Sequence, residues 1–133
     1  FESGLVYNMA FVDPYEADTA GHAAMRATLA SFSDSASTFL VAGWASQYHL
    51  KGVLEAAVKG GDLTRAGIRR AAANVNVSSD GMMPTRELGQ NRADADSSIG
   101  KPDGSIPSGV QSLASRYVGK TAAAYDWNAG PCS

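Results

Sequence analysis

The 133-residue chain carries 11 basic and 13 acidic side chains, a formal net charge of −2, and 44 % hydrophobic residues. That balance suits one globular unit and leaves no basic footprint for nucleic acid. No apolar run approaches the ~20 residues that cross a bilayer as a helix, and Cys132, the one cysteine, can form no internal disulfide.

In chain order, Leu5 to Met9 predicts a short strand. Asp13-Pro14 predicts a helix start, because proline fits the first helical position and aspartate can cap. That helix is expected to reach about Phe32, with Met25, Leu29 and Phe32 inward. Ser31 to Ser37 reads as a polar loop. From Thr38 to Lys59 there is no proline, and Leu50, Val53, Leu54, Ala57 and Val58 recur at three- and four-residue steps. This is the stripe of a helix burying one face, with Trp44 and Tyr48 an i,i+4 aromatic pair on another stripe. Gly60 and Gly61 supply the left-handed residue that closes such a helix. Thr64 is then the expected N-cap of a second helix, with Leu63 and Ile68 in the positions of a hydrophobic staple. Ile68, Ala71, Ala72 and Val75 continue a buried stripe, and Arg65, Arg69 and Arg70 point elsewhere.

Beyond that pair the pattern weakens. Val75 to Val77, or Met82 to Leu88, predicts a strand. From Gly89 to Gly109 the composition turns polar, with Asn91, Asp94, Asp96, Ser97, Ser98, Pro102, Asp103 and Pro107, and reads as a long surface loop. Val110 to Ala114 reads as a brief helical turn, and Tyr117 to Trp127 as a last strand or two. No repeat of twenty to fifty residues is present.

Catalytic and metal signatures do not emerge. His22 and His49 stand outside any HExxH pattern and there is no G-x-S-x-G elbow, so both are expected to be surface or helix-face histidines without catalytic work. Gly119-Lys120-Thr121 ends like a phosphate loop, but the required earlier glycine is Ala114. A calcium loop begun at Asp94 would place Ile99 and Ser105 where glycine and glutamate are needed. Asn76-Val77-Ser78 is a glycosylation pattern with no mechanism attached. The expectation is a protein that is not an enzyme, with no cofactor and no metal.

The segments GLVYNMAFVDPY, STFLVAGWASQYHLKGVLEAA, GDLTRAGI, DGMMP and AYDWNAG, taken in order, resemble the C-terminal part of ABC-importer substrate-binding proteins of the branched-chain amino acid (Leu/Ile/Val-type) family. These are type I periplasmic binding proteins. The resemblance covers the first two thirds well and the last third loosely. It implies an α/β fold, helices packed on a small incomplete sheet, as one C-terminal segment (1–133) of a two-lobed protein. It also implies capture of a small polar ligand, amino acid-like, for ABC permease subunits, in a periplasmic or extracellular location. At matching positions it implies that Phe39 and Trp44 line the apolar side of the ligand cleft, with Tyr7 and Asn8, beside Phe11, near the hinge. Burial in the core is the competing role of the first two, and strand packing of the others. The long Asp- and Ser-rich stretch after Pro84 departs from the pattern and leaves open whether the ligand is leucine, an amide, a urea-like solute or an aromatic acid. The opening FESGLVYN lacks the marks of a signal peptide, and Cys132 is either an accidental free thiol or one whose partner sits in a missing N-terminal region. A cut sheet would leave apolar faces open to self-association. The rival expectation is a stand-alone helical interaction or dimerisation module using the Trp44–Tyr48 face.

Overall fold

A computed structural model describes residues 6–32, 36–84, 86–87 and 96–126. It is an α/β arrangement: β1 (Asn8–Ala10), α1 (Ala20–Leu29), α2 (Thr38–Lys59), α3 (Arg65–Asn74), β2 (Asn76–Val77), β3 (Arg86–Glu87), β4 (Asp96–Pro102), β5 (Val110–Val118) and α4 (Lys120–Ala124). The strands make two small sheets, β1-β4-β5 and β2-β3, every pairing antiparallel. Helices on a small open sheet are what the sequence implied.

The central helix pair forms for the reasons read from the residues. Ser37 caps α2 by accepting the Leu40 amide at 3.1 Å. At the other end Gly61 takes φ +70°. Its amide reaches the Val58 carbonyl at 3.0 Å while the Asp62 amide reaches Ala57 at 3.2 Å, the paired bonds that satisfy a helix's last carbonyls. Thr64 caps α3 by accepting the Gly67 amide at 3.2 Å. Asp62 reinforces the corner: it accepts from the Thr64 amide and hydroxyl and pairs with Arg70. Those bonds hold its carboxyl below the usual carboxylate range, the Thr64 hydroxyl contributing most.

Which face α2 buries differs from the expectation. Val41, Ala45, Val53 and Ala57 are buried, whereas Leu50, Leu54 and Val58 stay exposed. Small residues face inward because α2 lies close on its neighbours; a methyl group at Gly52 would sit 2.8 Å from Val77 Cγ2. Leu50, Leu54 and Val58 line an open apolar groove of about 550 Å³ edged by Lys51, Glu55 and Lys59. Trp44 and Tyr48 pack against the core instead, so the free helix face is not the one expected. Leu63 is likewise exposed, while Ile68, Ala71, Ala72 and Val75 are half-buried.

The core is Val12, Met25, Val41, Ala45, Met82 and Met83, flanked by Tyr15, Leu29, Ala42, Trp44 and Tyr48. Met82 and Met83 enter it from a turn rather than a strand. Ser79 fixes that turn: its hydroxyl accepts the Met83 amide at 2.7 Å and donates to the Met83 carbonyl at 3.0 Å.

Several boundaries move. Residues 13–18 do not begin α1, because the Arg26 guanidinium holds them outside the helix by donating to the Tyr15 and Ala17 carbonyls at 2.7 and 3.1 Å. Thr19 is the cap, and the helix stops at Leu29, leaving Phe32 exposed. The polar stretch expected as a loop contains β4, paired on both edges, and of its described residues only 103–109 turn. Val110 to Ala114 is strand, not helix, because it pairs with β4. Tyr117 and Val118 end β5, and α4 follows where more strand was expected. Leu5, Ser33 to Ser35, Leu88 to Ala95, Trp127 and Cys132 lie outside the described residues.

Candidate functional site

Strand β1 alternates. Tyr7 (62 %), Met9 (71 %) and Phe11 are exposed, and Val12 on the alternate side is fully buried. Asn8 and Ala10, on Val12's side, are half-buried. The period of two puts the three large apolar side chains on one face. Asn8 pairs with Gly100 of β4, and a narrow cleft beside it is lined by Thr38, Ser98 and Val110. Its volume of about 10 Å³ suits one water molecule, not a solute.

Thr38 opens α2, so the cleft brings Asn8 to the start of the helix that carries Phe39. Phe39 is 90 % exposed, the position of a group with no packing partner among the described residues. Trp44, five residues on, is half-buried against Val41 and the methionines' cluster. The four residues singled out from the sequence therefore divide. Asn8 and the Phe39 end of α2 come together, Tyr7 lies on the outward face of β1, and Trp44 serves the core.

A larger cleft, about 580 Å³, lies between residues 13–19 and the β4–β5 hairpin, lined among others by Asp13, Glu16, Thr19, Ile106, Val110 and Ser115. Polar groups bridge its two walls. Glu16 accepts from the Ser108 amide at 2.9 Å and from its hydroxyl. Asp13, almost fully buried, accepts from the Ser98 hydroxyl and lies 3.6 Å from the Arg116 guanidinium. Arg116 also donates to the Gly81 carbonyl at 2.7 Å and faces Asp96 at 3.9 Å. Sequence reasoning missed this cluster. Asp13 and Ser98 are 85 residues apart, and nothing local marks them as partners.

Of the surface or helix-face position expected for it, His22 takes the second, on a buried face of α1. Its Nε2 faces the Asp13 carbonyl at 3.4 Å and its Nδ1 the Thr19 hydroxyl at 2.8 Å. A carbonyl only accepts, so Nε2 carries the proton and Nδ1 accepts from Thr19. Burial, outweighing the neighbouring Asp13, lowers its pKa below the ordinary 6.5. Its role is to join residues 13 and 19. Among the described residues, no group of three or more His, Cys, Asp or Glu is arranged to hold a metal, and no helix is long and apolar enough to cross a membrane.

No family model and no curated protein match the chain. A solved structure does: the fatty acid ABC transporter substrate-binding protein from Thermomonospora curvata, with a TM-score of 0.77 at 20 % identity over 90 % of this chain. The chain thus has the fold of part of such a protein. It spans 32 % of that protein's length. The likeness reaches the substrate-binding-protein fold and does not single out the branched-chain amino acid family.

Proposed function

We propose that these 133 residues act as one segment of an extracytoplasmic solute receptor that captures a small molecule and presents it to the permease of an ABC importer, without catalysis. The observation that carries this is the match over nine tenths of the chain to a substrate-binding protein. Phe39, Tyr7 and Asn8 are the ligand-side residues of this reading, with Met9 and Phe11 added by their exposure. Trp44 acts from behind, by fixing α2. Large exposed apolar groups without a cation beside them in the sequence suit a ligand with an apolar body, whether a branched-chain amino acid or the acyl chain named for the structural relative.

Titration of the isotope-labelled chain with leucine and with a short-chain fatty acid, followed by amide shifts, tests the reading. A chain spanning a third of such a receptor supplies one wall of the site, so weak binding is expected, with shifts confined to residues 7–11 and 38–42. Micromolar binding centred on the cleft between Glu16 and Ser108 would overturn it.

The exposed Leu50–Leu54–Val58 groove favours a second reading, self-association through α2.

A further inference from the structure

The described structure divides along a polar seam. Extensive packing between elements lies within α1, α2, α3, β2 and β3, or within β1, β4 and β5, and none joins a helix to the β4–β5 hairpin. The buried core takes no side chain from residues 96–118. On the hairpin itself only Ser98 and Gly100 are buried, and its large apolar side chains Ile99, Ile106 and Val110 are no more than half-buried.

Two bonds from Ser108 to Glu16 cross near the hairpin's tip, and the larger group of contacts is centred on Arg116. One guanidinium meets Asp13 ahead of α1, Asp96 on β4 and the Gly81 carbonyl of the Ser79–Met83 turn. To do so its backbone adopts φ +56°, a left-handed conformation that side chains other than glycine rarely take. The β4–β5 register also shifts between Ser97 and Gly100, the kind of irregularity that re-aims a side chain. An open cleft runs beside the contact, so the two walls meet at a few polar points rather than across a packed face.

We propose that Arg116 is a latch: it holds the β4–β5 hairpin against the helices, and its release lets the hairpin open as a unit while the apolar core stays folded. This stands apart from the receptor reading, since it needs no ligand. Polar bonds across a seam with little apolar burial give a low free energy of local opening, whereas the helices open only with the whole structure.

Hydrogen exchange read by mass spectrometry tests the latch in the 133-residue chain, with Arg116→Met keeping the stem and Asp13→Asn keeping an acceptor for Ser98. Each single variant is expected to speed exchange at residues 97–101 and 111–117 roughly tenfold, with α2 unchanged. The double variant is expected to add little, because either change already breaks the pair. Equal acceleration over α2, wild-type exchange in Arg116→Met, or additive effects in the double would overturn the proposal. Should a variant fail to fold, the wild type in about 1 M salt gives the answer, since a partly exposed charge pair is screened there. Faster exchange confined to the hairpin supports the latch, and an unchanged hairpin overturns it.

Discussion

Around Met25 and Met82 the chain is held by apolar side chains with no exposure to water. Around Arg116 it is held by ion pairs and hydroxyl bonds, across a cleft. The first arrangement gains free energy with every methylene buried and loses it only when the helices part. The second gains little net, because each bond replaces one to water. The same backbone therefore combines a unit that resists opening with an attached hairpin whose position is set by directional contacts.

Substitutions can break or sharpen this contrast, and the largest effect belongs to the core. Met82→Ala is expected to destabilise the whole protein by about 2–5 kcal/mol in chemical denaturation, through lost transfer energy and the cavity left behind. Leu113→Ala, on the exposed part of β5, is expected to change stability by less than about 0.5 kcal/mol. Similar losses for both would erase the distinction between the two regions.

A smaller effect comes from His22. Its pKa is lowered in the folded state, so the unfolded chain takes up a proton first as pH falls. Stability contributed by the neutral ring is complete above the ordinary value of 6.5 and declines below it, until the folded-state ring also protonates. Denaturation midpoints at about pH 7.5, 6.5 and 5.5 should fall in the wild type and fall less in His22→Gln.

The smallest effect on folding and the most selective on association is expected for Leu54→Lys. Placing a charge in the exposed groove should leave the melting temperature nearly unchanged and reduce any concentration-dependent mass seen by light scattering. Identical scattering from both proteins would remove α2 as an association face.

How far the sequence foretells these regions follows the same division. The bounds of α2, its closure at Gly60 and Gly61, and the Thr64 cap are local chemistry, and all are where the residues place them. The start of α1 is not local. Asp13-Pro14 is a sound helix opening, but Arg26 pins the following carbonyls from a turn further on, and Asp13 is taken by Ser98 and Arg116. The hairpin was hidden for a related reason. Asp96, Ser97, Ser98 and Gly100 look like loop residues because the seam they face is polar, and the register shift breaks the alternation that betrays a strand. For the candidate site, β1 was legible as a short strand, while the outward alternation of Tyr7, Met9 and Phe11 was not drawn from so short a run. That Phe39 points to water and Trp44 to the core depends on which stripe α2 turns inward, a choice made by Gly52, Ala45 and Ala57, not by the largest side chains.

The hairpin's tip offers a practical handle. Asp103 closes it, accepting from the Ser105 amide at 2.9 Å and its hydroxyl at 2.6 Å while the Asp103 amide reaches the Gly109 carbonyl at 2.9 Å. A side chain added at Gly104 would meet nothing within 4 Å. A fluorophore or spin label carried there would ride on the swinging arm and report its angle without touching the hydrophobic interior.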